Sequence, residues 1–318
     1  MDQLPGDWSV TTNDYLPYNT RQCGNLEELT SAIKNGERVW LNDSLQDAPD
    51  MVKAVESSYF KPANCDIPYI QERSDICGIL AKYSSVALLG DSLTRHLTQA
   101  LMIQMTDDYV AGGTVVKTSA AQLHCKCDGL FSENAMCRGR NAIDLYDLFH
   151  EVCSDVQPLS RFDFMGASAD GHPRRRVKAH ADRIVCPDDD TRPVLIQLQG
   201  GLHVKSSAKR TISEIIQPLL ENPKFKKCQE KGKVRLIWHA GSAQSRVLDK
   251  KYPHQSRENY LEFNKKIDEY LTENQVNVTI LDWWKLSENA QMSDGVHYLQ
   301  DVNVMKSNHF LTVASMLA

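Results

Sequence analysis

The pattern of apolar and polar positions changes near residue 84. Before it, aromatics, prolines and cysteines are scattered without a long period. After it, short apolar runs alternate with stretches of helical period. Five runs predict strands: Val86 to Leu89, Tyr109 to Val116, Pro193 to Gln199, Val234 to His239 and Val276 to Leu281. Apolar residues three and four apart predict helices over Leu93 to Met105, Ala142 to Cys153, Lys209 to Leu220 and Ser256 to Glu273. Strands alternating with helices predict a parallel sheet covered on both faces, an α/β core over 84–318. Residues 1–83 read as an irregular arm wrapping that core, with a helical turn or two at Met51 to Val55. Residues 155–192 show no clear period and read as a long surface insertion, placed to act as a lid. Their Arg174-Arg175-Arg176 cluster is either a solvated loop face or an attractor of an anionic ligand.

The hinge of the pattern is Gly90-Asp91-Ser92-Leu93-Thr94-Arg95, where a buried strand hands over to a helix. Leu93, Leu97, Ala100 and Leu101 make one apolar stripe, so Ser92 stands at the first helical turn, among N-H groups able to hold an oxyanion. Asp91 or Ser92 could equally serve as a helix cap. The far end of the chain adds Ser293-Asp294-Gly295-Val296-His297-Tyr298, an acid and an imidazole three residues apart. A serine nucleophile needs a base, and the base needs a carboxylate to fix its tautomer. Ser92, His297 and Asp294 supply all three.

With Gly90-Asp91-Ser92-Leu93-Thr94-Arg95 near the start of the core and Asp294-Gly295-Val296-His297 near its end, the chain resembles the SGNH/GDSL hydrolase superfamily. Arg95, three after the serine, makes it similar to the PC-esterase branch, which includes the trichome-birefringence-like and glycan O-acetyltransferases. Gly6-Asp7-Trp8, Tyr15, Tyr18, Cys23, Trp40 and Lys61-Pro62-Ala63-Asn64-Cys65 resemble that branch's N-terminal layout. The resemblance implies a three-layer α/β/α fold with a central parallel sheet, an arm tied by a Cys23–Cys65 disulfide, and an acetyl-serine mechanism. It also implies a backbone oxyanion donor near Gly112 or Gly113, although either glycine could instead mark a bulge or turn. Where the superfamily has Gly-x-Asn, this chain has Gln199-Gly200-Gly201-Leu202-His203, so one oxyanion donor is replaced. Arg95 is the substitute in reach on the helix face of Ser92, unless it serves a nearby carboxylate. Gln199, His203 and His239, at strand ends, are candidates for substrate contact. Trp283 and Trp284 could stack on a sugar ring or pack in the core.

Composition narrows the setting. A chain of 318 residues, 42% hydrophobic, can bury one large core, and a net charge of -5 favours neither nucleic acid nor an anionic membrane. No apolar run approaches the roughly 20 residues that span a bilayer. Met1 to Pro5 carry no signal-peptide core, so a targeting segment is expected outside this chain. Nine cysteines, with the acceptor triplets at Asn42 and Asn277, suit disulfides in the secretory pathway or outside the cell. Cys125, Cys127 and Cys137 lack the spacing of a zinc site. The expectation is a monomer without metal or bound cofactor, transferring acetyl from an unidentified donor to a polysaccharide or glycan. The alternatives are an acetylesterase and a catalytically silent glycan-binding protein.

Overall fold

The computed structural model describes residues 21–40, 58–109, 112, 131, 145–166, 172–243, 253–288, 290, 292 and 295–318. It is a mixed α/β structure built on a five-stranded parallel sheet. The chain before the sheet is more regular than its scattered pattern suggested. Helix α1 (Leu26–Asn35) is capped by the Asn25 side chain, and strands β1 (Glu37–Trp40) and β2 (Ser58–Lys61) pair antiparallel. Helix α2 (Arg73–Leu80) follows. The Cys23–Cys65 disulfide is present and closes this segment.

The sheet strands are β3 (Ser85–Gly90), β4 (Arg161–Gly166), β5 (Val194–Leu198), β6 (Val234–His239) and β7 (Thr279–Leu281), in spatial order β4-β3-β5-β6-β7. Strands β3, β5 and β6 match the predicted runs. The last predicted strand pairs only over its final three residues. Tyr109 stands in a turn, and of the rest of the predicted 109–116 strand only Gly112, also in a turn, is described. The stretch 155–192 is not simply a surface insertion. It supplies edge strand β4, in register with β3 from Ser85 and Arg161 to Gly90 and Gly166, and helix α5 (Pro173–Ala181). Arg174 to Arg176 therefore sit on a helix. Arg161, Asp163 and the buried His180 fill the edge of β4 with hydrogen-bonded charge. That charge hid the strand from a hydrophobic pattern.

Helix α3 (Ser92–Thr106) follows β3, and α4 (Leu145–Val152) leads into β4. After β5 comes a helical segment, α6 (208–220), which widens to a π-turn at Ile212–Ile216 just before Pro218. Proline has no N-H to continue the ladder, and Gln217 N-H bonds Ile212 O across the wider turn. Helices α7 (Pro223–Glu230), α8 (Arg257–Glu273), α9 (Trp284–Ser287) and α10 (Gln300–Leu317) complete the chain.

Successive strand residues point to opposite faces. Val86, Leu88, Leu195 and Ile237 pack with α3, α4 and α10 on one side. Ala87, Leu89, Ile196 and Trp238 pack with α5 to α8 on the other. The N-terminal segment belongs to the first core: Leu29, Ile33, Ile76 and Leu80 are buried in the cluster that holds Leu97 and Phe310. Asn308 of α10 accepts the Ile70 N-H at 2.7 Å and donates to Pro68 O at 3.0 Å, tying the segment to the final helix.

Cys77–Cys153 and Cys186–Cys228 are also disulfides. Crosslinks of this kind persist in oxidising compartments. Closing the separation of 76 residues between Cys77 and Cys153 removes on the order of 4 kcal/mol of unfolded-chain entropy. Cys125, Cys127, Cys137 and Asn42 lie outside the described residues, whereas Asn277 is exposed. No helix among the described residues is long and apolar enough to cross a membrane.

Candidate active site

In its own chain order the sheet runs second, first, third, fourth, fifth, so the strand order reverses between β3 and β5. Ligands of open parallel sheets bind at the carboxyl ends of such a switch point. The turn after β3 carries Ser92, and the end of β5 carries Gln199.

This turn is held by a closed set of hydrogen bonds. Asp91 is the N-cap of α3, its carboxylate accepting the Leu93 N-H at 3.0 Å. The cap is therefore supplied by Asp91, and Ser92 is not needed for it. Gln199 donates its backbone N-H to Leu89 O at 2.8 Å and its side-chain amide to Asp91 Oδ2 at 3.0 Å. Its Oε1 accepts the Asp91 N-H at 3.1 Å and the Thr94 hydroxyl at 3.2 Å. Gly90 makes the closure possible, since a Cβ there would lie 2.0 Å from Thr94 Oγ1 and 2.8 Å from Gln199 Oε1. Gln199 is thus completely buried and braces the nucleophile turn instead of facing a substrate.

Ser92 remains partly exposed, and its Oγ lies 2.6 Å from His297 Nε2. Residues 205 apart in sequence meet at this contact. The loop delivering His297 turns through Gly295, whose φ of 89° suits glycine. Its exit is fixed by Asn303 in the first turn of α10, which donates to Tyr298 O and Leu299 O at 2.8 Å. The buried Tyr298 hydroxyl donates to Ala243 O in the loop after β6. Asp294 lies outside the described residues.

On α3, His96 is one turn beyond Ser92, buried, with its ring 4.9 Å from that of His297. Arg95 NH2 contacts His96 Nε2 at 3.2 Å, and the Arg95 side chain is partly exposed. Sequence reasoning passed over His96, although its spacing of four from Ser92 placed it on the same helix face. Gly112 donates its N-H to Asp108 O at 2.8 Å, so in this conformation that donor is already used; Gly113 lies outside the described residues.

The remaining predicted contacts separate by burial. His203 is exposed, in a single turn of 3-10 helix, Leu202–Val204. His239 is buried against the Trp283 ring, 4.3 Å between centroids, with Nε2 at 3.4 Å from Ser242 Oγ. Burial, and secondarily the charge of Lys306, push its pKa well below the ordinary histidine value, so it is neutral. Trp283 is wholly buried and Trp284 is 7% exposed, so both are core residues and neither presents an open face to a sugar. An open hollow of about 430 Å³ lies on the carboxyl rim, between the loop after β5 and the start of α8. Lys205, Lys209, Lys266, His254 and Phe263 line it. No cluster of three metal-ligating side chains occurs among the described residues.

Across this site a partly exposed hydroxyl at a helix start stands in hydrogen-bond contact with an imidazole, over a rigidly braced turn. Such a pair can transfer a proton from oxygen to nitrogen as the oxygen attacks a carbonyl carbon. No protein-family model and no curated protein matches the chain.

Proposed function

We propose that the protein is a serine-dependent O-acetyltransferase acting on a polysaccharide or glycan hydroxyl, in the manner of the PC-esterase branch it resembles. The observation that carries this reading is the contact of 2.6 Å between Ser92 Oγ and His297 Nε2 at the sheet's switch point. The sugar acceptor rests on the family resemblance of the two motifs. The open hollow on the same rim, lined by polar and charged side chains, offers a sugar a place to lie.

His297 Nε2 takes the hydroxyl proton as Ser92 Oγ bonds to the acetyl carbonyl carbon of the donor ester. The Ser92 backbone N-H at the start of α3 and the Arg95 guanidinium hold the negative oxygen. The donor's alkoxide then leaves with the proton from His297, and acetyl-serine remains. A sugar hydroxyl gives its proton to His297, bonds to the acetyl carbon and displaces Ser92, which recovers the proton. Asp294 fixes the imidazole tautomer throughout.

The test offers an acetyl-ester donor with and without oligosaccharide acceptors, and follows free acetate and acetylated sugar by mass spectrometry. The wild type is expected to yield acetylated oligosaccharide, with the Ser92→Ala rate lower by at least about a thousandfold. Acetate without acetylated sugar would shift the assignment to hydrolysis. Transfer that survives Ser92→Ala would refute the mechanism.

A further inference from the structure

Directly beneath the nucleophile turn and the histidine loop lies a buried cation that the proposed mechanism does not use. Lys306, in the second turn of α10, is 2% exposed. Its Nζ donates to Ser242 Oγ at 2.9 Å, stands 4.0 Å from the Tyr298 ring centroid and 5.6 Å from that of Trp283. The groups facing it come from four places. Asp91 lies in the turn after β3, His239 at the end of β6, Ser242 in the loop after β6, and Tyr298 beside His297. His239 is neutral and the Tyr298 phenol is held protonated by burial, so among the described residues Asp91 is the anion whose charge acts on the ammonium, from beyond ion-pair distance.

A lysine buried among aromatic rings is expensive to charge, and an apolar side chain of similar length would fill the space at lower cost. Its position is what stands out. Asp91 caps the helix that begins with Ser92, and Tyr298 is bonded in sequence to His297. The ammonium packs on the residue next to His297, and the Asp91 charge of the turn before Ser92 acts on it from beyond ion-pair distance.

Resting on the acyl-transfer reading, we infer that Lys306 is a positioning residue for the Ser92 and His297 pair, its ammonium fixing the Tyr298 ring against Ser242 and, through Tyr298, the loop that carries His297. It touches neither substrate nor reacting atoms. It acts through the groups it anchors, and only while charged. Burial lowers its pKa to about 7, opposed by Asp91, so the ammonium is lost on the alkaline side of neutrality. Serine reactivity is therefore expected to fall on the alkaline side of neutrality as Lys306 loses its proton.

The experiment is the rate of Ser92 modification by a fluorophosphonate, which needs neither acetyl donor nor glycan, measured against pH with the site read by peptide mass spectrometry. Lys306→Met keeps the length and removes the charge. It is expected to label at least tenfold more slowly at neutral pH, without an alkaline fall, while its melting temperature stays equal to the wild type or above it. That combination separates positioning from a structural role. Ser242→Ala removes the hydrogen-bond acceptor of Nζ, and is expected to slow labelling severalfold and move the alkaline fall to lower pH. Wild-type labelling at Ser92 with an unchanged rate and profile in Lys306→Met would overturn this inference and leave the acyl-transfer reading standing. A wild type that does not label at Ser92 would remove both. If Lys306→Met does not fold, Ser242→Ala decides, and an unchanged profile there would be equally fatal.

Discussion

At Gly90, the absence of a side chain lets three other side chains meet. A methyl group there would press on Thr94 Oγ1 and Gln199 Oε1, both locked by further hydrogen bonds. Gly90→Ala is expected to cost about 1–3 kcal/mol in urea unfolding and to lower Ser92-dependent acetate release at least tenfold. A variant with wild-type stability and turnover would show that the turn is not braced as described. The pairing of Ser92 with His297 was legible in the sequence because each stands in a short motif of distinctive chemistry. Gln199 was found as a strand-end residue but read as a substrate contact, since a lone glutamine carries no sign of the carboxylate it will meet. Lys306 escaped notice because its neighbours Val302, Val304 and Phe310 set an apolar pattern, and a single lysine in such a helix looks like a solvated position until both faces prove covered.

Among the elements, the central strands β3, β5 and β6 were readable because both faces are buried and their apolar runs are continuous. Edge strand β4 was not, because Arg161 and Asp163 alternate with Phe162 and Phe164 and satisfy each other at the rim. Helix α1 has an Asn25 cap, an acidic first turn and the buried stripe Leu29, Ala32 and Ile33, but at ten residues its period is too short to stand out in a segment that otherwise lacks one. The first half of helix α10 carries no clear apolar stripe, because Asn303, Lys306, Ser307 and Asn308 are buried inside the fold, with Asn303, Lys306 and Asn308 hydrogen-bonded there. Lys306 gives this helix a pH signature. Its folded pKa is about 7 against an ordinary value of 10.5, so between those values the unfolded chain binds more protons. The destabilisation is complete below about pH 7 and is relieved as pH rises toward 10.5. Lys306→Met is expected to be more stable than the wild type at pH 6 by a few kcal/mol, with the gap closing by pH 10, in chemical unfolding at both values. A gap that does not change with pH would contradict this.

At the scale of the whole molecule, residues 205 apart in sequence meet at one serine. The N-terminal segment is stapled by Cys23–Cys65, joined to the sheet-bearing core by Cys77–Cys153 and hydrogen-bonded to α10, so it shares the core of the domain. Helix α10 then reaches back under the active site through Lys306, and the loop before it carries His297 to Ser92. The layered α/β class and the Cys23–Cys65 bridge were legible in advance, the first from alternating periods and the second from resemblance. The integration of the N-terminal segment was not, because burial of Leu29 and Ile76 against Phe310 is a long-range outcome that local pattern does not encode. The central claim is that Ser92 carries the acetyl group between donor and acceptor. It is tested most directly by incubating the protein with an activated acetyl ester, quenching in acid and mapping acetylation by peptide mass spectrometry. Acetyl on the Ser92 peptide is expected in the wild type, accumulating without acceptor, discharged on adding one, and absent from His297→Ala. A wild type that turns over the ester with no acetyl on Ser92, or with acetyl equally present in His297→Ala, would contradict it.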